Sequence, residues 1–181
     1  MPNEIPLIMW KYRCGGCGTW YQHHDALPDA YGQFLMRSED GLSERILFAP
    51  TDPVLKEVGR LVRAEPSIQR LPELKQSDIV QLVFSVACDA PENGSPFRMS
   101  GFPPCPQCGS RNPAAWDTVQ PGAVVDVEVP SVTHQHWSTL NETEKRNLVK
   151  ASLKALDLGD QPQPQILQRK RGWWIFARTR K

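Results

Sequence analysis

Residues 12–21 read YRCGGCGTWY and residues 102–109 read FPPCPQCG, so each stretch carries the pattern Cys-x-x-Cys-Gly. The two-residue spacing lets one tight turn present two sulfur atoms to a single ion. Two such turns complete the tetrahedral shell of four thiolates that structural metal sites use. The predicted ligands are Cys14, Cys17, Cys105 and Cys108.

A glycine follows each cysteine pair, at Gly18 and Gly109. Glycine adopts positive φ angles without steric cost, and this conformation lets the backbone N–H groups after the second cysteine point at the thiolates. Zinc is the favoured ion because it suits an all-sulfur ligand set and has no redox chemistry; iron is the alternative. Four protein ligands leave no open coordination position, so the site is expected to be structural.

Two other interpretations of the cysteines remain open. A redox-active dithiol explains one pair, but not a second pair with the same flanking glycine. Two local disulfides would each close a small loop and would constrain little of the unfolded chain. The fifth cysteine, Cys88, has Asp89 and Glu92 as neighbours, which disfavours a thiolate, so a buried and inert thiol is expected there.

The two Cys-x-x-Cys-Gly knuckles resemble those of the zinc-ribbon and rubredoxin-like proteins. The resemblance implies that each knuckle joins short antiparallel strands, and that Cys14, Cys17, Cys105 and Cys108 bind zinc or, as in rubredoxins, iron. Between the two pairs lie 87 residues, 18–104, whereas compact ribbons have roughly 15–20. The resemblance therefore implies a ribbon that is split by a large insertion.

The expected fold class is α+β. We expect a split ribbon of antiparallel strands from residues 1–22 and 98–130, an inserted α/β segment over 23–97, and a C-terminal amphipathic helix with a basic hairpin over 131–181. Residues 7–13 and 19–22 are the predicted strands beside the first knuckle.

Four further elements are predicted from local patterns. Asp52 and Pro53 are typical of a helix start, and Pro66 and Pro72 should end the helix that follows. Residues 79–88 favour a strand over a short buried helix. Residues 91–130 contain eight prolines and should be mostly loop, except for a strand over 123–129 with its valines on one face. Thr139 and Glu142 have the spacing of a capping box, before a helix that ends at Gly159.

Catalytic candidates are few. His134 and His136 would share one face of a strand, where they could bind a metal or serve as acid and base, and Asp126 and Glu128 could lie nearby. These four residues are the basis of an alternative hypothesis, that the protein is an enzyme. The adjacent pair His23 and His24 follows the first knuckle and could supply spare metal ligands.

Charge is unevenly distributed along the chain. The net charge of +1 divides into +6 from residue 161 onward and −5 for residues 1–160. Basic residues alternate with aromatic ones in this last segment, as phosphate neutralisation with base stacking requires, although a hairpin with a solvated basic face is the simpler interpretation. The candidate binding residues are Arg169, Lys170, Arg171, Trp173, Trp174, Arg178, Arg180 and Lys181.

The 181 residues, 40% of them hydrophobic, fit one ordinary domain or two small ones. No apolar run reaches the roughly 20 residues of a membrane span, and the start of the chain does not read as a secretory signal, so a cytoplasmic protein is expected. The leading hypothesis is a non-enzymatic zinc-binding protein that binds a macromolecule, nucleic acid ahead of an acidic protein surface. The alternatives are a rubredoxin-like iron electron carrier and the enzyme described above.

Overall fold

The structure is a computed structural model that describes residues 3–99, 101–119 and 123–156. The strands are β1 (Asn3–Cys14), β2 (Trp20–Ala26), β3 (Gln33–Ser38), β4 (Glu44–Phe48), β5 (Phe97–Arg98), β6 (Pro113–Thr118) and β7 (Val124–Val129). The helices are α1 (Pro53–Arg63), α2 (Pro66–Gln69), α3 (Glu73–Val83), α4 (Gln135–Thr139) and α5 (Glu142–Ala155). The described residues thus form a mixed α and β fold with antiparallel strands, as predicted.

The first sheet, here called sheet A, is organised around the long strand β1. One edge of β1 pairs with β2 from Leu7 to Arg13. The other edge pairs with β7 along its first half and with β6 along its second half. Both partners are antiparallel to β1. Most residues of β6 and β7 lie more than 100 positions further along the chain than the β1 residues with which they pair.

The second sheet, sheet B, has the strand order β4-β3-β5. Alternate residues of β3 point to opposite faces, as the period of a strand requires. Leu35 packs with Ile46 and the β1 residues Ile5 and Leu7, whereas Met36 packs with the helices. Sheet B therefore lies between sheet A on one face and the helical layer on the other.

The helical layer is built on α1, which begins as its sequence predicts. The Asp52 carboxylate accepts a hydrogen bond of 2.7 Å from the Leu55 backbone N–H, and Pro53 occupies the first turn. The helix ends at Arg63, before Pro66. Val58, Leu61 and Val62 are almost fully buried, with at most 2% of each residue exposed.

The prediction of a strand over 79–88 is wrong. This stretch is the second half of α3, followed by a 3-10 turn at Phe84–Ala87. Its buried residues are Ile79, Val80, Val83, Phe84 and Ala87. Their spacing of i, i+1, i+4, i+5 and i+8 follows one helical face, and burial of that face outweighs the strand propensity of β-branched residues.

Residues 91–130 contain more strand than their prolines indicate. The prediction for 123–129 is confirmed by β7, in which Val125, Val127 and Val129 lie inward while Asp126 and Glu128 are exposed. Pairing with other strands also forms β5 and β6 in this stretch, and neither was predicted. Pro113 begins β6, a position where its missing N–H removes no internal ladder bond.

The start of α5 lies two residues later than predicted. Asn141, not Thr139, is the N-cap: its side chain accepts hydrogen bonds from the Thr143 and Glu144 backbone N–H groups, at 3.0 Å each. The Glu144 carboxylate accepts a 2.8 Å bond from the Asn141 backbone N–H, which completes a capping box. The predicted stop at Gly159 lies outside the described residues.

The capping assignment predicts a difference between two alanine variants. Asn141→Ala removes the acceptor of two helix N–H groups and should lower the free energy of unfolding by about 1 kcal/mol. Thr139 is exposed, and its hydroxyl only donates to the His136 carbonyl, so Thr139→Ala should change that free energy by less than about 0.5 kcal/mol. Urea unfolding of both variants measures the two values, and a larger loss for Thr139→Ala would contradict the assignment.

Candidate metal centre

The two knuckles have the same backbone geometry. In the first, the Cys14 N–H donates to the Thr19 carbonyl at 2.9 Å, and the Gly18 N–H donates to the Cys14 carbonyl at 3.0 Å. In the second, the Cys105 N–H donates to Ser110 at 2.9 Å, and the Gly109 N–H donates back to Cys105 at 2.8 Å.

Both glycines have the positive φ that the sequence predicted, 75° at Gly18 and 72° at Gly109. A side chain at either position would be strained by this backbone conformation, although there is open space around each glycine. Glycine is therefore favoured at both positions by the backbone conformation of the turn and not by close contact with neighbouring atoms.

Sheet A brings the knuckles together. The first knuckle is the turn between β1 and β2, and the second precedes β6, which pairs with the end of β1. A register shift after Arg13 lets the Gly15 N–H donate to the Asn112 carbonyl at 2.8 Å. On the other side, the Tyr21 hydroxyl donates to the Pro103 carbonyl at 3.0 Å.

The four sulfur atoms converge on one point. Cys14 Sγ lies 3.4 Å from Cys108 Sγ, and Cys17 Sγ lies 3.7 Å from Cys105 Sγ. All four lie within 4.8 Å of one another. A tetrahedral ion with metal–sulfur bonds of about 2.3 Å requires sulfur atoms about 3.8 Å apart. A disulfide would need about 2.05 Å, so the spacing fits a shared ion and not two bridges.

The backbone around the first knuckle favours a thiolate. The Cys17 and Gly16 N–H groups lie 3.5 and 3.3 Å from Cys14 Sγ and lower the pKa of the Cys14 thiol to about 6. The pKa of Cys17 is also lowered, first by its hydrogen bonds with Thr19. The backbone of this knuckle therefore favours the thiolate, which is the form of cysteine that binds a metal.

The neighbouring sulfurs disfavour the Cys108 thiolate. The Ser110 N–H favours the Cys108 thiolate, but the neighbouring sulfurs of Cys14 and Cys17 raise the pKa of Cys108 to about 12. A divalent ion between the sulfurs would remove this conflict, because each thiolate would then face a positive charge. The donor set thus fits a soft or borderline metal ion.

The site has a buried half and an exposed half. Cys14 and Cys105 are each 2% exposed and pack with the stacked rings of Tyr12 and Tyr21, whose centroids are 5.4 Å apart. The second cysteine of each knuckle, Cys17 or Cys108, is exposed. The cluster therefore connects an aromatic core to the molecular surface.

Cys88 lies apart from the four-cysteine cluster, in the helical layer. Its thiol contacts the Phe84 carbonyl oxygen at 3.6 Å. Burial, followed by the charges of Asp52 and Asp89, raises the pKa of this thiol well above its usual range. A protonated, half-buried thiol of this kind is a poor nucleophile, in agreement with the predicted inert role.

The proposed catalytic quartet is not assembled. His134 precedes α4, so the assumption that 134 and 136 share a strand face is wrong. The His134 ring contacts the Ala87 carbonyl at 2.5 Å and the Asp52 carboxylate at 3.1 Å, whereas His136 is exposed. Among the described residues, two groups of His, Cys, Asp or Glu are close enough to hold a metal, and neither contains the quartet Asp126, Glu128, His134 and His136.

His23 and His24 do not join the cysteines either. They belong to the second of these groups, with Glu44 as its third member, and the sequence pattern did not point to Glu44. No local signal identifies Glu44, because it comes from β4, in the other sheet. The basic and aromatic residues of 169–181 that were predicted to bind a partner lie outside the described residues.

No protein-family profile, curated protein or solved structure matches this chain. None of the helices in the described ranges is long and apolar enough to cross a membrane.

Proposed function

We propose that the four-cysteine cluster holds a structural zinc ion, and that the protein is a non-enzymatic module that binds a macromolecule, with nucleic acid as the favoured partner. The observation that carries this proposal is the convergence of four sulfurs at 3.4–3.7 Å along two edges of a tetrahedron. When bound, zinc would supply positive charge and four bonds. The site has no open position for a substrate.

On this proposal the chain contains a zinc ribbon split by an insertion. Residues 1–22 and 98–130 would be the ribbon, 23–97 the insertion, and 131–181 the C-terminal unit. The repeated hydrogen bonding of the two knuckles supports a ribbon, and so does the pairing of β1 with β2 and β6. The ion would then fix the two ends of an insertion that supplies sheet B and most of the helical layer.

A described surface supports nucleic acid as the partner. Lys11, Arg13 and Trp20 are exposed on the β1–β2 hairpin, and Arg13 is paired with Trp20 in register. The Lys11 ammonium lies 4.7 Å from the Trp20 ring centroid. Exposed cations beside an aromatic ring suit a phosphate backbone with a stacked base. The basic and aromatic residues of 169–181 would add to this surface.

A second candidate function is electron transfer by iron in the same cluster. The observation in its favour is that Cys17 and Cys108 are exposed, which would let electrons reach an ion from the surface. A reducible iron centre with thiolate absorption bands in the purified protein would select this function over the structural zinc site.

The nucleic-acid proposal predicts salt-dependent binding. Labelled single-stranded DNA and RNA should bind the full chain, with an affinity that falls as salt rises. Replacing Arg169, Lys170 and Arg171 with glutamine should lower the slope of log K against log salt by about 2, because each lost phosphate contact contributes about 0.7. Fluorescence anisotropy at several salt concentrations measures the slope.

The matched control changes the same number of charges elsewhere. Lys56, Lys75 and Lys154 are exposed on the helices, and their replacement by glutamine should leave the slope unchanged. An equal fall of the slope in the two triple variants would show that the net charge of the protein alone attracts the nucleic acid. Absence of binding at low salt by the zinc-loaded chain would contradict the nucleic-acid proposal and favour an acidic protein partner.

A further inference from the structure

His23, His24 and Glu44 face one another between the two sheets. His24 Nε2 lies 2.5 Å from Glu44 Oε2, and His23 Nδ1 lies 4.0 Å from Glu44 Oε1. One ligand atom from each residue lies within 4.8 Å of the other two. Around an ion with bonds of about 2.0–2.1 Å, tetrahedral ligand atoms are about 3.4 Å apart, so His24 Nε2 and Glu44 Oε2 would move apart by about 0.9 Å to admit the ion.

Arg37 fixes the orientation of the Glu44 carboxylate. The Arg37 side chain is only 5% exposed, and its Nε donates to Glu44 Oε1 at 3.0 Å. A second guanidinium nitrogen donates to the His24 carbonyl at 2.6 Å. Arg37 occupies Oε1, and Oε2 is left facing the His24 imidazole. Metal-binding carboxylates are commonly held in this way by a donor on the second oxygen.

The charges around the cluster favour an added cation. Glu44 is joined by Asp25, whose carboxylate lies 3.6 Å from the Arg37 guanidinium. Two carboxylates and one guanidinium leave one negative charge in excess when the imidazoles are neutral. His23 Nδ1 donates to the His24 carbonyl at 3.0 Å, so Nε2 carries the lone pair of the neutral ring.

The cluster is mostly buried, but each of its side chains remains partly accessible to solvent. The side chains of His23, His24 and Glu44 are 25%, 23% and 19% exposed. The two imidazole centroids lie 4.8 Å apart. Zinc-type ions are bound by imidazole and carboxylate ligands, and three protein ligands leave a fourth position for water.

We propose that His23, His24 and Glu44 form a second metal site, distinct from the four-cysteine cluster, for a divalent ion of the zinc class. Binding replaces the hydrogen bond between His24 and Glu44 with two bonds to the ion: the Nε2 proton of His24 is released to water, the neutral ring keeps its proton on Nδ1, and Arg37 keeps its contact with Oε1. The ion joins β2 of sheet A to β4 of sheet B. This site is not needed for the structural role of the cysteines, so it goes beyond the function proposed above.

Cobalt titration of the full chain tests this inference, because the two ligand sets absorb differently. The first equivalent should fill the cysteines and produce strong thiolate charge-transfer bands. A second equivalent should bind and add only weak d–d bands. His24→Gln and Glu44→Gln should each lose the second equivalent and keep the thiolate bands, whereas His136→Gln, which changes an exposed imidazole, should keep both.

A measurement without substitution covers the case in which a variant fails to fold. In the full chain, the second equivalent of cobalt should shift or broaden the imidazole resonances of His23 and His24 and leave those of His134 and His136 unchanged. Saturation of the full chain at one equivalent, or unaffected His23 and His24 resonances, would overturn the second site. Loss of the second equivalent in His136→Gln would also overturn it.

Discussion

Cys105→Ser is expected to release the metal from the four-cysteine cluster and to unfold the chain at room temperature. Cys105 is one of the two buried cysteines of the cluster, and a serine hydroxyl, unlike a cysteine thiol, does not ionise readily enough to replace a thiolate ligand. Structural zinc contributes about 10–16 kcal/mol to the folding of small zinc domains, whereas whole proteins are stable by about 5–15 kcal/mol. Loss of the ion therefore removes most or all of the net stability.

Metal content and far-UV circular dichroism of the purified variant measure this effect together. Cys88→Ser is the matched control, because Cys88 lies outside the cluster and its hydrogen bond to the Phe84 carbonyl can be made by a serine hydroxyl. The control should keep its metal and lose about 1 kcal/mol or less of unfolding free energy. A folded Cys105→Ser variant with the stability of the parent chain would contradict the structural role of the cluster.

The second large effect is expected at Trp137, which joins the C-terminal helices to the helical layer. The residue is 1% exposed, and its indole N–H donates to Glu57 Oε2 at 2.7 Å. The Lys145 ammonium lies 3.0 Å from Glu57 Oε1 and 5.4 Å from the Trp137 ring centroid. Trp137→Ala should lower the free energy of unfolding by about 3–5 kcal/mol, mainly through the cavity that the indole leaves; Glu57 loses the indole hydrogen bond but keeps Lys145 as its partner.

Urea unfolding measures this loss as a fall in the midpoint of about 2 M, for a typical slope of about 2 kcal/mol per M. The matched control is Trp116→Ala, because Trp116 is 43% exposed on sheet A and its removal creates a smaller cavity. Metal content should be unchanged in Trp137→Ala, since this residue does not contact the cluster. Similar midpoints for the two variants would contradict the role assigned to Trp137.

Features with a local cause could be predicted from the sequence. The cysteine pairs, with Gly18 and Gly109, define two turns whose geometry depends on a few adjacent residues. The start of α1 depends on Asp52 and Pro53, and the alternation of β7 depends on the period of a strand. Short stretches of sequence therefore suffice to predict the group of four cysteines and these elements.

The misplaced elements are those in which tertiary packing outweighs local preference. Residues 79–88 carry β-branched side chains, but the buried stripe that they share with α1 requires a helix. Thr139 and Glu142 have the spacing of a capping box. The chain instead begins α5 at Asn141, after the short helix α4 has placed Trp137 in the core.

No local pattern in the sequence indicates which distant segments contact each other. The pairing of β1 with β6 joins residues about 100 positions apart, and it brings the second knuckle to the first. The group of His23, His24 and Glu44 arises only because sheets A and B face each other. A single sequence shows the hydrophobic period of each helix or strand, but it does not show which other element packs against each face.

X-ray absorption at the metal edge tests the four-cysteine site most directly, on the full chain carrying one equivalent of zinc. We predict a single shell of four sulfur atoms at about 2.3 Å, with no nitrogen or oxygen ligand. A shell with nitrogen or oxygen ligands, fewer than four sulfurs, or a chain that retains no metal would contradict the site.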